Sequence, residues 1–307
     1  MLFNLILLIF GFFLLSKGAA ILVDGASAMA RKLNVPEIII GLTIVACGTS
    51  APEAAVSISS VIQGASGVGV GNILGSNIAN ILLILGISAL ITNLYVHKNT
   101  VFYEIPFVTF ISVLLMFIGW QYGMVYRGGA VTLCVLFALF LLYLFFMAKK
   151  HKDTVTAIEN MSTMKMISFV LFGIVALVAG AKITVVSAVD IARSLNISER
   201  IIGLTVIAFG TSLPELVTCI VAAIKKHSDL VIGNIIGSNI FNILFVLGIT
   251  GLIKPIPFES AFFVDSVWGV VATVLLWTFV VRDRKLTKGE GLLFLVLYAA
   301  YIISLIG

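Results

Sequence analysis

Long apolar runs alternate with short polar breaks along the whole chain. Reading the runs between charged or turn-rich breaks gives ten segments, at about 2–29, 37–62, 67–91, 100–118, 128–147, 165–192, 199–224, 229–253, 259–281 and 289–306. A helix needs roughly 20 residues to cross the hydrocarbon core of a bilayer, so the pattern predicts ten spanning helices. The gaps between them are short, leaving little chain outside the membrane. No basic stretch precedes the first run, which favours a first spanning helix over a cleaved signal peptide.

The polar residues inside these runs repeat. Shifted by 162 residues, the chain matches itself. Gly48-Thr49-Ser50-Ala51-Pro52-Glu53 meets Gly210-Thr211-Ser212-Leu213-Pro214-Glu215, and the stretch from Gly71 to Asn80 meets that from Gly233 to Asn242. Between 41–80 and 203–242 there are 20 identities in 40 positions without a gap. Two unrelated apolar segments would share Leu and Ile, but not Pro, Glu, Asn and Ser in register. Each copy holds five predicted spans, so the second enters from the opposite side. The expectation is an all-α membrane protein of two inverted five-helix repeats, 1–148 and 166–307, with cores at 37–92 and 199–254. A short linker, 149–165, joins them; it has no EF-hand spacing and is too short to be a domain. Secondary transporters use inverted repeats, with sites near the midplane where the repeats meet.

Composition removes the soluble alternatives. Apolar residues make up 61% of the chain and charged ones 11%, against roughly 45–50% and about 25% in soluble domains; the mean hydropathy is +1.20. The three cysteines form neither a disulfide framework nor a zinc pattern. The net charge of +5 is informative through its distribution. Alternate gaps beginning with 30–37 hold thirteen Lys and Arg, and the others hold four. The positive-inside rule then predicts a cell-membrane protein with both termini outside.

Glu53 and Glu215 fall deep in the second span of each repeat. An ionised carboxylate at the bilayer centre costs at least ~2.5–3.5 kcal/mol on insertion scales, and two facing each other would also repel. A cation between them removes both penalties. The plainer reading is a protonated carboxyl, or one paired with Lys17 or Lys182. Pro52 and Pro214 each remove a helix hydrogen bond, so the helices should break between Gly48 and Pro52 and between Gly210 and Pro214. Ser50 and Ser212 lie in those segments and are counted with the site. Freed carbonyls at membrane depth must line a cavity and suit Ca2+ or Na+ as hard oxygen ligands. Thr49 and Thr211 lie one turn before the glutamates. Asn72, Ser76 and Asn80 share one helix face, as do Asn234, Ser238 and Asn242. The glycine pairs Gly71/Gly75 and Gly233/Gly237 would let backbones approach closely. Asp24, Asp190, Glu104 and Asp265 lie near span ends and read as snorkelling or interfacial; the three histidines read as solvated.

These two blocks resemble the repeats of the calcium/cation antiporter superfamily, in its sodium/calcium exchanger branch. The resemblance implies a core of helices two, three, seven and eight around a diamond of four cation sites. Glu53 and Glu215, with the backbone oxygens of Thr49 and Thr211, would hold Ca2+. Sodium sites would add the carbonyls of Ala46 and Ala208 and the hydroxyls of Ser76 and Ser238. Helices one and six would slide across the core, and three sodium ions would exchange per calcium. The proton-coupled branch carries a different motif where this chain has Gly-Thr-Ser-x-Pro-Glu. The potassium-dependent branch typically has an aspartate where this chain has Asn242. Na+/Ca2+ antiport without K+ is therefore expected, with Ca2+ and Na+ as substrates and no cofactor, nucleic acid or protein partner. A passive cation channel is the rival class. An intramembrane hydrolase is weaker still, since Ser50 and Ser212 have no histidine within the membrane as base.

Overall fold

A computed structural model describes residues 2–150, 161–195 and 208–306. The molecule is helical: α1 (Leu2–Leu33), α2 (Glu37–Thr49), α3 (Ala51–Ile62), α4 (Ser66–Ile91), α5 (Thr100–Tyr122), α6 (Arg127–Lys150) and α7 (Thr163–Ser194), then α8 (Leu213–Ile224), α9 (Ser228–Ile253), α10 (Ser260–Asp283) and α11 (Lys288–Ile306). Among the described residues eight helices are long and apolar enough to cross a membrane, and the α2–α3 pair, bent by 48°, makes nine when counted as one span. The expected seventh span begins in 196–207, outside the described residues, and continues as Ala208–Gly210 and α8. Helix α5 runs beyond the expected end at 118. Gly119 does not stop it; Gly123 does, with φ of 62° and its N–H on Gly119 O, the left-handed cap that glycine supplies most readily.

Two-residue strands tie the loops together. β1 (Leu94–Tyr95) pairs with β4 (Lys285–Leu286), and β2 (Met124–Val125) with β3 (Ile256–Pro257). β1 and β2 lie at opposite ends of α5, so the two pairs mark opposite faces of the protein. Each joins loops that the Lys/Arg count assigns to the same side.

The two longest helices, α1 and α7, have 32 residues each, or roughly 48 Å at 1.5 Å per residue. They lie antiparallel along glycines spaced seven apart: Gly11, Gly18 and Gly25 on α1, Gly173 and Gly180 on α7. A methyl at Gly180 would sit 2.9 Å from Leu15 N and 3.0 Å from Gly11 O. Small residues suit such seams because lipid gives helices no hydrophobic drive to associate, leaving van der Waals packing to hold them. In the core, α9 lies against α2 at Gly233 and Gly237, where added methyls would fall 2.8 Å from Ile38 O and 2.7 Å from Leu42 O. The expected close approach is present at this pair but not at Gly71/Gly75, where an added methyl would meet only Phe262 at 3.6 Å at the first and nothing within 4 Å at the second.

Candidate cation site

The chain breaks where the prolines predict. Ser50 leaves the helix with φ −83° and ψ 8°, and Ser212 does the same with φ −85° and ψ 5°. After the break, Pro52 and Pro214 stand in the first turns of α3 and α8, where a missing N–H costs nothing. The glutamates follow in the same first turns, at the positive ends of the helix dipoles. Glu53 is 1% exposed and Glu215 is fully buried. Lys17 and Lys182 are exposed on α1 and α7; among the described residues neither glutamate has a basic partner.

The repeats exchange bonds across the pseudo-two-fold. Ser50 Oγ donates to Glu215 Oε1 at 2.7 Å, and Ser212 Oγ lies 3.2 Å from both Glu53 Oε1 and Ser76 Oγ. Thr49 Oγ1 donates to Asn234 Oδ1 at 3.0 Å, and Thr211 Oγ1 to Asn72 Oδ1 at 3.2 Å. The amides are steadied in turn: Asn72 Nδ2 by Ser57 Oγ at 3.1 Å, Asn234 Nδ2 by Cys219 Sγ at 3.4 Å. Ser57 and Cys219 are themselves repeat equivalents. Asn72 and Asn234 thus position the site threonines as well as packing.

Asn77 and Asn239, quoted in the repeated block but not singled out, form the centre of a second network. Each Nδ2 donates to the other's backbone carbonyl, at 3.3 and 3.1 Å. Each Oδ1 accepts from the asparagine of the opposite repeat: Asn80 Nδ2 to Asn239 at 2.9 Å, Asn242 Nδ2 to Asn77 at 3.1 Å. The signal that could have found them is their place in an identical block beside Ser76 and Ser238. Asn80 and Asn242 lie in wide π-helical turns, Ala79–Leu85 and Phe241–Val246, which recur at functional sites.

Five buried oxygens of the expected site have no hydrogen-bond partner among the described residues: Glu53 Oε2, Glu215 Oε2, Ser238 Oγ, Asn80 Oδ1 and Asn242 Oδ1. Buried polar atoms in folded proteins are nearly always paired, so five together mark a place for a positively charged guest. No group of three His, Cys, Asp or Glu occurs among the described residues; the donors are two carboxylates and neutral oxygens, the ligand set of a hard cation. Ala46 O accepts from Ser50 N at 3.0 Å, and the Thr49 hydroxyl lies 3.3 Å away. With the single Thr49 hydroxyl proton on Asn234 Oδ1, the Ala46 carbonyl keeps a lone pair for a cation. Ala208 stands in the turn preceding Thr211, and its side chain is outside the described set.

Three peripheral readings need correction. Glu104 is 1% exposed and takes a hydrogen bond from Tyr143, and Asp265 is 9% exposed and takes one from Tyr301; both α5 and α10 turn these acids inward, away from the interface. His227 is half-buried, with Nδ1 2.9 Å from Glu37 Oε2. Asp24 keeps its expected interfacial pairing, 2.6 Å from Lys225 Nζ. His151 lies outside the described residues.

Comparison with known proteins gives the chain's family and fold. The model of the sodium/calcium exchanger protein family matches residues 3–146 and 165–307. The inner membrane protein YrbG of Escherichia coli (strain K12) is 35% identical, over 94% of this chain and 92% of that one. The sodium/calcium exchanger MaX1 of Methanosarcina acetivorans is 32% identical, over 98% of both. The solved sodium-calcium exchanger NCX_Mj, soaked with 2.5 mM Na+ and 0.1 mM Ca2+, superposes with a TM-score of 0.88 at 33% identity, covering 99% of both chains.

Proposed function

We propose that this chain, which belongs to the sodium/calcium exchanger family, exchanges Na+ for Ca2+ across the cell membrane and does so without K+. The family makes it a cation/Ca2+ antiporter and a transporter rather than an enzyme. The choice of Na+ as driving ion rests on one observation, the five unpartnered buried oxygens, two of them on the carboxylates of Glu53 and Glu215. Two carboxylates carry a charge of −2, which one Ca2+ or two Na+ neutralise equally. The ions therefore compete for one place rather than bind together, and competition at a shared site is what an antiporter needs. Ser50 and Ser212 each hold one oxygen of the opposite glutamate and leave the other for the cation. Thr49, Thr211, Ser76, Ser238, Asn80 and Asn242 supply neutral oxygens, with the carbonyls of Ala46 and Ala208 for sodium.

An amide at Asn242 adds no third negative charge, so neither an obligatory proton nor K+ is required for balance. The glycine seam between α1 and α7 suits two long helices that move together past the core. The Lys/Arg distribution supports both termini outside.

A flux measurement tests this. Proteoliposomes loaded with Na+ should take up radiolabelled calcium, while those loaded with K+ or with a proton gradient alone should not. Calcium flux with no counter-ion would favour a channel and overturn the proposal.

A further inference from the structure

Asp265 sits in the sixth position of α10 and is 9% exposed. It borders a small cavity of about 20 Å3 between α4, α5, α9 and α10, whose other polar walls are Asn77, Ser112 and Ser266. A site needs roughly 10–15 Å3 to hold one water-sized particle, so the cavity takes a single small guest.

The hydroxyl protons on its polar walls are already committed. Ser112 Oγ donates to Val108 O at 2.8 Å, and Ser266 Oγ to Phe262 O at 2.7 Å. Asn77 Nδ2 donates to Asn239 O, and Tyr301 donates to Asp265 Oδ1 at 3.1 Å. Besides the second N–H of Asn77, the walls therefore offer the lone pairs of the Ser112 and Ser266 hydroxyls and the carboxylate of Asp265. Among the described residues no Lys, Arg or His pairs with Asp265. A water would donate to these oxygens but would leave the carboxylate's charge unbalanced inside a membrane protein.

We propose that this cavity is a cation site separate from the Glu53–Glu215 centre, taking one dehydrated monovalent cation. One carboxylate balances one monovalent charge; a divalent ion would leave an excess positive charge in the same buried place. The other repeat supplies an internal control. Glu104, one position from the repeat equivalent of Asp265, is also buried and bonded to a tyrosine. Its cavity is about 420 Å3 and, apart from Tyr103 and Tyr143, is walled by Phe102, Phe107, Leu136, Leu139 and Phe140, too few oxygens in too large a space to replace a cation's hydration shell. Because Asn77 also accepts from Asn242, the new site touches the asparagine network without using either central glutamate.

The test is thermal unfolding of the Glu53→Gln, Glu215→Gln double variant in NaCl and choline chloride at constant ionic strength. Na+ should raise the midpoint saturably, and choline, too large for the cavity, should not. Adding Asp265→Asn should remove the Na+ shift, and adding Glu104→Gln should leave it. Ser112→Ala with Ser266→Ala, milder changes, should raise the Na+ needed for half the shift several-fold. Should the double variant not fold, the wild-type background serves: Asp265→Asn should remove the part of the Na+ stabilisation that saturating Ca2+ does not displace. No Na+-specific shift in a folded double variant, a shift unchanged by Asp265→Asn, or stabilisation by acid pH alone would overturn the site and leave a water or a proton there.

Discussion

At the residue scale the centre is built from reciprocal pairs, so each half can be tested against the other. Glu53→Gln and Glu215→Gln each remove half the charge that balances Ca2+, and each should abolish Na+-driven calcium transport in a protein that still folds; uptake within about twofold of wild type by either would remove the assignment. Ser50→Ala and Ser212→Ala should do less. Each deletes one hydrogen bond to a charged group, worth roughly 1.5–3 kcal/mol, so calcium affinity measured by equilibrium binding should change about ten- to a hundredfold without loss of stoichiometry. Asn242→Asp adds a third carboxylate beside two, and like charges at close range raise a pKa. Exchange by that variant should acquire K+ dependence or a new pH dependence between about pH 5 and 8. The glutamates and their hydroxyl partners were legible in the sequence because charge at membrane depth is costly and because they recur in register. The roles of Asn77 and Asn239 were not. An asparagine side chain gives no sign of whether its partner is a cation, a backbone carbonyl across the interface or its own helix, and only the crossing of α4 with α9 decides it.

Among the elements, the broken helices α2–α3 and the run into α8 carry the site, and their breaks were readable from a proline four residues after a glycine. The closeness of α9 to α2 was readable in part, since Gly233 and Gly237 announce a contact without naming the partner. Gly233→Val should fail: the methyls would meet Ile38 O and the Gly41 backbone, main-chain atoms at 2.8 and 3.0 Å that cannot yield as a side-chain tip does. Little folded protein should be recovered by size-exclusion chromatography in detergent. The α1–α7 seam was missed, although its five glycines at a seven-residue period are present in the sequence, because a small-residue period inside a lipid-facing helix resembles ordinary membrane composition. The inward turn of Glu104 and Asp265 was missed for a different reason. Distance from a span end predicts the depth of a side chain but says nothing about which way the helix is rotated. The Asp24–Lys225 pair links α1 to the end of α8, and half of it is exposed. Such pairs contribute about 0–1 kcal/mol, so Lys225→Gln should alter the exchange rate by less than about fivefold and leave calcium binding intact, as flux and binding assays on one preparation would show.

For the whole molecule, the fold class followed from hydropathy and the repeat, up to nine of the ten expected spans stand among the described residues, and the two strand pairs join loops that the charge count assigned to common sides. Sidedness itself rests on the Lys/Arg bias. Single cysteines near either terminus, in a background with Cys47, Cys134 and Cys219 replaced, should react with an impermeant thiol reagent added outside intact cells. The account stands above all on one shared site of charge −2, filled by Ca2+ or by Na+ but not by both. Equilibrium binding of radiolabelled calcium to the purified protein, titrated with Na+ at constant ionic strength, addresses that claim most directly. The prediction is one Ca2+ per chain, displaced completely by Na+ with a Hill coefficient above one, and no calcium bound by Glu53→Gln or Glu215→Gln. Calcium retained at saturating Na+, or bound normally by either variant, would contradict it.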